Sequence, residues 1–186
     1  MIDMRRIQHA FYLSTSQRYE LLVPNVYLDY RFHEMDLCGV RKSGFVDEIE
    51  IKRSVSDFKA DFKKTVLTEI DSHINDDKYK GRKVFGAGYG KFVEERPKHE
   101  CLQEGLNNCN YFSFLIPKEI ENKCDIPEYA GLYVYYESHD SRLFIAEVKS
   151  APRLHKRKIS DNTKYKLARK MAYRYWDSQA YIIDRL

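Results

Sequence analysis

Residues 33–52 have the sequence HEMDLCGVRKSGFVDEIEIK, and this stretch decides the fold. It lies in two strand-like runs, predicted over residues 30–40 and 45–52, which the turn-forming sequence RKSG separates at 41–44. Side chains alternate between the two faces of a strand, so the even-numbered residues of each run share one face. The pattern therefore predicts an antiparallel hairpin with several acidic residues on one face.

The register of this hairpin decides which charged residues meet. Val40 and Val46 flank the turn and are the expected partners. Counting outward from that pair sets Asp36 opposite Glu50, with their Cβ atoms about 4.5–5.5 Å apart. Two carboxylates so close repel each other unless a cation lies between them, and a hard divalent ion such as Mg²⁺ or Mn²⁺ prefers such oxygen ligands. The hairpin therefore predicts a metal site, which a one-residue shift in register would abolish.

The triplet formed by Glu50, Ile51 and Lys52 supplies the chemistry expected beside that metal. An i, i+2 spacing on a strand puts the Lys52 ammonium on the same face as the Glu50 carboxylate. We expect Asp36 and Glu50 to be direct metal ligands, joined by the backbone carbonyl of Ile51. Lys52 would then orient or deprotonate a metal-bound water, or stabilise the pentavalent phosphorus of a phosphodiester.

Other acidic residues leave alternatives open. The same charges also fit a solvated hairpin face, on which Glu34 and Lys52 form an ordinary cross-strand pair. If the metal site exists, Glu34 is expected to support Lys52 from outside the ligand set. Glu20, expected on the first helix, is a further candidate for an acid near the metal, although no pattern fixes it there.

A second Glu-x-Lys triplet, at residues 147–149, shows how unspecific the triplet is by itself. It belongs to a predicted hairpin in which Tyr136 pairs with Arg142, a register that sets Gly131 opposite Glu147. That copy has no opposed acid. Only the first triplet is therefore expected to share a metal.

These residues resemble the PD-(D/E)XK nuclease superfamily, whose site combines an acid on one strand with a (D/E)-x-K triplet on the next. More narrowly, the chain resembles MmcB-like proteins, a small bacterial group linked to DNA repair, and related phage proteins. The resemblance implies a restriction-endonuclease-like fold, with Asp36 and Glu50 as metal ligands and Lys52 as the catalytic lysine. The segments that resemble this group are HEMDLCGV (33–40), EIEIKRSVSDFKADFKK (48–64), NYFSFLIPKEI (110–120), IPEYAGLYVY (126–135) and EVKSAPRLHKRK (147–158).

The rest of the chain supplies a framework around the hairpin. A roughly helical pattern covers residues 4–22 and ends before Pro24. Ser54 opens another helix in a capping-box-like arrangement with Asp57, and both Asp57 and Asp61 are expected to favour its positive N-terminus. Strands are predicted over 111–117, 130–136 and 143–149, and a final helix over 164–181. The order of elements indicates an α/β fold, a mixed central β-sheet flanked by helices.

Residues 71–110 show no sustained period and are interpreted as an insertion within a single domain of residues 1–186, a long loop with short helical pieces. The cluster GAGYG at 86–90 lacks the Gly-Lys-Ser/Thr ending of a P-loop, so it favours a flexible loop. Lys98 and His99 precede one of the helical pieces, where they can approach a phosphate, although a single surface histidine usually has no such role.

Charge favours a polyanionic partner. The net charge of +4 is modest, but nine Lys and Arg residues and one acid lie between residues 153 and 174. Such a run can neutralise phosphates, and a solvated polar face is the alternative. The candidate DNA-contacting residues are Arg153, Lys156, Arg157, Lys158, Lys166, Arg169 and Lys170.

The expected function is hydrolysis of DNA phosphodiester bonds with Mg²⁺ or Mn²⁺ as cofactor, in DNA repair or phage DNA processing. The alternatives are a nucleic-acid-binding module that keeps the nuclease fold without efficient chemistry, and an interaction protein whose acid pair is incidental. The four cysteines lack a C-x-x-C spacing and are expected to be free thiols in a reducing cytoplasm. No apolar run is long enough to span a bilayer, so no membrane partner is expected, and the oligomeric state stays open.

Overall fold

A six-stranded mixed sheet forms the centre of the computed structural model, which describes residues 2–29, 33–70, 84–86 and 92–183. The strands of this sheet follow the order β1-β2-β3-β7-β8-β9. The β3–β7 and β7–β8 pairs are parallel and the other pairs are antiparallel. The strands are β1 (Tyr19–Val26), β2 (Met35–Arg41), β3 (Val46–Ile51), β4 (Thr65–Ile70), β5 (Val84–Gly86), β6 (Phe92–Pro97), β7 (Tyr111–Pro117), β8 (Ala130–Glu137) and β9 (Leu143–Lys149).

Helices cover both faces of this sheet, as the α/β prediction requires. Ile7 and Phe11 of α1 are fully buried on the face that also contains Leu115 and Tyr133. The opposite face buries Phe58 of α2 and Leu167 of α4 among the apolar side chains of β2, β7 and β8. The helices of the described residues are α1 (Met4–Thr15), α2 (Val55–Asp61), α3 (Lys98–Gln103) and α4 (Asp161–Ile183), together with 3₁₀ turns at Ser16–Arg18 and Lys118–Lys123.

The hairpin formed by β2 and β3, called the decisive hairpin from here on, has the predicted register. Val40 pairs with Val46, and the ladder continues outward to Leu37 and Ile49. In the turn, the Gly44 amide donates a 2.8 Å hydrogen bond to the Arg41 carbonyl. Gly44 has a φ of +83°, in the left-handed region that glycine enters without steric cost. The register prediction is therefore confirmed, while β2 begins at Met35, later than the predicted strand.

The predicted first helix is wrong beyond its first 12 residues. It ends at Thr15, and the chain from Tyr19 to Val26 is the strand β1. Pro24 lies within this strand because β1 is at the edge of the sheet, where a residue without an N–H breaks no ladder. Glu20 is consequently a strand residue, not a helix residue.

The interpretation of residues 71–110 as a loop with short helical pieces is confirmed only in part: residues 84–86 and 92–97 are strands, whereas Lys98–Gln103 is a short helix. Strands β4, β5 and β6 form a second, antiparallel sheet in the order β4-β6-β5. The short helix α3 begins directly after β6, at Lys98. Residues 71–83 and 87–91, which include most of the glycine cluster, lie outside the described residues.

The second hairpin, which contains the second Glu-x-Lys triplet and is formed by β8 and β9, has a different register from the predicted one. Tyr136 pairs with Phe144, not Arg142, and Glu147 lies opposite Tyr133, not Gly131. An irregularity between Leu132 and Tyr133 shifts the ladder again, which a register counted from the turn alone cannot anticipate. The conclusion drawn from this hairpin is unchanged, because the residue facing Glu147 is still not an acid.

No helix in the described part of the chain is both long and apolar enough to cross a bilayer. All four cysteines are buried free thiols, as the sequence predicted.

Candidate functional site

Asp36 lies where strands β2 and β3 separate. The ladder between them ends at Leu37 and Ile49, and the same register extended by one residue places Asp36 opposite Glu50. At this point the Ile51 amide donates a 2.8 Å hydrogen bond to Asp36 Oδ2, while the Asp36 carbonyl accepts from Gln8 Nε2 at 3.0 Å. The Asp36 carboxylate therefore replaces the backbone as the acceptor for β3, and this fixes its position beside Glu50.

Glu50 is close enough to Asp36 to affect its charge. Burial raises the pKa of Asp36, and the negative charge of Glu50 raises it further, to about 6. The hydrogen bond from Ile51 and the nearby Lys52 ammonium offset only part of this effect. A bound cation would offset both the burial of this carboxylate and its repulsion by Glu50.

Glu50 is held by three lysine side chains. Its Oε1 accepts from Lys98 at 2.7 Å, and its Oε2 accepts from Lys52 at 2.7 Å and from Lys64 at 3.1 Å. Burial alone would raise the pKa of Glu50, but these three ammonium groups, Lys98 foremost, lower it to about 2. Glu50 is therefore ionised at neutral pH although it is almost entirely buried.

Asp61 is the second anchor of this buried cluster. It is the last residue of α2 and is fully buried, with Oδ1 2.6 Å from Lys52 Nζ and 2.7 Å from Lys64 Nζ. Its Oδ2 lies 2.9 Å from His99 Nε2, and His99 Nδ1 lies 2.7 Å from the Tyr129 hydroxyl. Burial by itself would raise the pKa of Asp61, but the His99 hydrogen bond and the lysines hold it far below its usual range.

The expected role of Asp61 at the helix N-terminus is therefore wrong, because α2 is so short that Asp61 is at its far end. The capping role of Asp57 is confirmed. Its amide donates to Ser54 Oγ at 3.1 Å, and its carboxylate accepts from the Arg53 amide at 3.1 Å.

The charges of the cluster nearly balance without a metal. The ammonium groups of Lys52, Lys64 and Lys98 face three carboxylates, because Lys98 also lies 2.8 Å from Glu48 Oε1. Asp36 is then a fourth acid beside three paired ones. Its charge is the one that this arrangement leaves without a lysine ion pair among the described residues.

Lys52 keeps its proton in this setting. Burial would lower the pKa of the ammonium group, but Glu50 and Asp61 raise it above its usual range. The side chain is about 5% exposed and its nitrogen contacts both carboxylates. Lys52 is therefore a fixed positive charge next to Glu50 at neutral pH.

The donors present suit a hard divalent cation. Within the described ranges, no group of three or more His, Cys, Asp or Glu side chains is arranged to hold a metal. The predicted set is of another kind, since it has two carboxylates and a backbone carbonyl, and Mg²⁺ keeps several waters when it binds through one or two carboxylates. Glu50 Oε2 can be released toward a cation, because both of its ammonium partners also contact Asp61 Oδ1.

Two further predicted site residues have other surroundings. Glu34 is exposed. The Lys52 ammonium is hydrogen-bonded to Glu50 and Asp61 instead of the expected partner Glu34. Glu20 accepts from Lys164 at 3.2 Å and is next to Tyr19, which pairs with Arg41 at the opposite end of β2 from Asp36. The strand assignment thus removes the reason for placing Glu20 near the metal.

The predicted DNA-contacting residues fall into two groups. Arg157 donates to the carbonyls of Gly105 and Asn107, at 2.6 and 3.1 Å, and Lys170 donates to the Tyr27 carbonyl at 3.1 Å, so these two hold the fold together. Side chains that face solvent are available for a polyanion. They are Arg153, Lys156, Lys158, Lys166 and Arg169.

Sequence reasoning missed the contribution of Asp61, Lys64 and Lys98 to the cluster. The burial of Asp61 could have been predicted, because Asp61 follows the buried Phe58 by three residues and therefore lies on the same face of the helix. Lys98 and His99 were expected to approach a phosphate from the surface. Both are instead buried, with Lys98 1% exposed.

Comparison with known proteins identifies a similar fold. The chain is similar to the SPO1766 protein of unknown function from Silicibacter pomeroyi, over 99% of this chain and 93% of that one, with a TM-score of 0.55 and 16% sequence identity. No family model matches the sequence, and no curated protein matches it. The α/β architecture, a mixed central sheet flanked by helices, is therefore shared with a solved structure, and the chemistry has to be argued from the site.

Proposed function

We propose that this chain is a divalent-metal-dependent nuclease of the PD-(D/E)XK type that hydrolyses DNA phosphodiester bonds. The observation that supports this proposal best is the position of Asp36 beside Glu50. Burial and, to a smaller extent, the charge of Glu50 raise the pKa of Asp36 to about 6, so the ionised form of Asp36 is disfavoured in the fold. A fold gains no stability from such an arrangement, so a ligand that needs both acids is its most economical explanation.

The metal is Mg²⁺ or Mn²⁺ in this proposal, with Asp36, Glu50 and the carbonyl of Ile51 as protein ligands. When bound, the cation supplies a water of lowered pKa as nucleophile and offsets charge on the phosphate. Lys52 supplies a second, permanent positive charge. Its raised pKa favours stabilisation of the pentavalent phosphorus over removal of a proton from water.

The alternative is a nucleic-acid-binding module that keeps the nuclease fold without efficient chemistry. One observation favours it: both oxygens of Glu50 are already occupied by lysine ammonium groups. Under this alternative the cluster is a buried ion-pair network with a structural role, and the exposed basic residues alone bind DNA.

Cleavage assays with paired variants separate the two. We expect single-stranded, duplex or branched DNA to be cut in Mg²⁺ or Mn²⁺ and to stay intact in EDTA. Lys52→Ala should lower kcat by about 10²- to 10³-fold, as for other residues that stabilise transition-state charge. The matched control is Lys149→Ala, which alters the second Glu-x-Lys triplet, where Lys149 donates to the Pro127 carbonyl at 2.7 Å.

Metal binding can be measured apart from cleavage. A cation that binds only the native state should stabilise the protein by about 2.7 kcal/mol at a hundredfold excess over its Kd. Asp36→Asn should abolish that gain in thermal stability. The nuclease proposal would be wrong if the DNA stayed uncut with either metal and neither metal stabilised the protein. If the protein still bound DNA, the nucleic-acid-binding module would be the better description.

A further inference from the structure

Helix α4 is fixed to the sheet by one side only. Leu167 is buried in the core, and Met171 packs against the same cluster. Lys164 donates to the Glu20 carboxylate at 3.2 Å, and Arg174 donates to the Asn25 carbonyl at 2.6 Å. These residues repeat every three or four positions, so they define one face of a 23-residue helix.

Large aromatic residues occupy the opposite face. Tyr165, Tyr173 and Trp176 are 63%, 59% and 67% exposed. With 3.6 residues per turn, positions 165, 169, 173 and 176 fall on one side of the helix, over a length of about 16 Å. Arg169 lies in the middle of them, with its guanidinium 5.8 Å from the centre of the Tyr173 ring. We call these four residues the α4 stripe.

The direction of α4 relates this stripe to the candidate site. Lys164 contacts Glu20 near the start of β1, whereas Arg174 contacts Asn25 near its end, so the helix runs in the same direction as β1. Asn25 also accepts from Gln8 Nε2 at 2.8 Å, and the same nitrogen donates to the Asp36 carbonyl at 3.0 Å. The C-terminal half of the stripe therefore lies toward the end of the sheet that contains Asp36.

We propose that the α4 stripe binds single-stranded nucleic acid, with bases stacked on Tyr165, Tyr173 and Trp176 and phosphates near Arg169 and Lys166. Every base has a π-face, so exposed rings alternating with cations bind a single strand without sequence preference. A duplex hides those faces, so it should bind less well. The binding stands independently of catalysis. Only the inference that the strand leads toward Asp36 rests on the proposed nuclease function.

The charge of the stripe argues for this occupant over a second copy of the chain. A surface that pairs with itself across a two-fold axis brings the same patch of both copies together, so the net charge of that patch meets itself. Helix α4 contains five Lys and Arg residues against the acids Asp161 and Asp177, so two copies of this helix repel each other on balance. A polyanion instead neutralises Arg169 and Lys166 and covers the rings.

Trp176 is the only tryptophan in the chain, so it reports on the stripe directly. We expect oligo(dT) to quench Trp176 fluorescence in EDTA, where no metal-dependent cleavage occurs. Quenching should weaken as salt is added, because Arg169 and Lys166 neutralise phosphates. A blunt duplex of matched length should quench less.

Substitutions test the assignment of residues. By fluorescence anisotropy with labelled oligo(dT), Tyr173→Ala and Trp176→Ala should each weaken binding by about 5- to 100-fold, the usual effect of losing one stacked base. Tyr12→Ala is the matched control, since Tyr12 is 50% exposed on α1, across the sheet, and its loss should leave affinity unchanged. Each variant should keep the wild-type melting temperature.

Three results would overturn the stripe. One is oligo(dT) binding unchanged in the Tyr173→Ala and Trp176→Ala double variant. Another is equal binding of duplex and single strand. The third is Trp176 fluorescence that depends on protein concentration, with a dimer that Trp176→Ala dissociates in sedimentation, because the stripe would then join two copies. If the double variant still cleaves DNA, the nuclease proposal stands although the proposed binding surface is wrong. If the wild type binds oligo(dT) through the α4 stripe but cleaves no DNA, the binding surface stands and the nuclease proposal is wrong.

Discussion

The Lys98 ammonium lies 2.7 Å from Glu50 Oε1, and each of these two side chains is only 1% exposed. Lys98 begins α3, 48 residues after Glu50, and reaches the Glu50 carboxylate through the interior of the protein. It also lies 2.8 Å from Glu48 Oε1 and 3.7 Å from Asp61 Oδ2. One lysine thus joins the second sheet and its helix to the acidic face of the decisive hairpin.

Removal of Lys98 should destabilise the protein strongly. Lys98→Ala leaves Glu48 and Glu50 buried without their shared cation, and breaking a buried pair in this way typically costs about 3–5 kcal/mol. Urea denaturation measures the loss in the free energy of unfolding. Lys64→Ala is the control, since the Lys64 side chain also contacts Glu50 and Asp61 but is 31% exposed, and should cost about 1 kcal/mol or less. If Lys98→Ala and Lys64→Ala lowered the free energy of unfolding equally, the buried position of Lys98 would not make its ion pairs more important for stability.

Asp61 should act as a positioning residue for Lys52. We expect Asp61→Asn to lower kcat more than it changes KM, because Lys52 loses one of its two carboxylate contacts. The charge of Asp61 raises the pKa of Lys52 and keeps it protonated in the wild type, so in this variant the rate should begin to fall at a lower alkaline pH than in the wild type. Asp57→Asn changes the same helix away from the cluster and should leave the profile in place. An unmoved alkaline limb in Asp61→Asn would mean that Asp61 only supports the fold.

Asp36→Asn should increase the stability of the metal-free protein at neutral pH. The folded pKa of Asp36, about 6, exceeds its unfolded value of about 3.9, so between these values the folded state holds the extra proton and stability falls as pH rises. Above about pH 6 the whole penalty applies, of the order of 3 kcal/mol, and an amide avoids it. Denaturation at about pH 4 and at neutral pH measures the difference, which should grow with pH.

Glu50→Gln is the control, because it should change the free energy of unfolding in the opposite direction. The folded pKa of Glu50, about 2, is below its usual value, so its contribution to stability is fully present above about pH 4.5 and is lost as pH falls toward 2. Glu50→Gln should therefore destabilise the protein at neutral pH. If both variants shift stability in the same direction, the two acids do not have the different surroundings described above.

The cysteines should be inert in the native protein. Burial raises the pKa of all four thiols, that of Cys101 to about 11, and the charge of Glu48 raises that of Cys109 further. A thiol reagent at about pH 8 should therefore react slowly until the protein unfolds, because the thiolate is the reactive form. Cys124, at 9% exposed, should react first, as mass spectrometry of the modified peptides would reveal. Rapid native reaction at Cys38 or Cys109 would contradict the buried placement.

The hairpin register was predictable because a tight turn and the strict alternation of strand side chains are local properties. Val40 and Val46 sit beside that turn, so few registers satisfy both constraints. In the second hairpin the turn lies one residue further along the chain than expected, so Tyr136 pairs with Phe144 and the later pairs are displaced with it. The prediction of the first helix was wrong for another reason. The spacing of apolar residues over 4–22 does not show where the helix ends and the edge strand begins.

By itself the sequence determined the α/β class, the acidic face of the decisive hairpin and the opposition of Asp36 and Glu50. These follow from alternation and from contacts across a four-residue turn, which the chain specifies locally. Only the tertiary structure decided that Lys98 and Asp61 join Glu50 and Lys52, and that the rings of α4 face solvent. Those outcomes depend on packing between elements distant in sequence, where burial and ion pairing of one group are set by groups that no local pattern brings together.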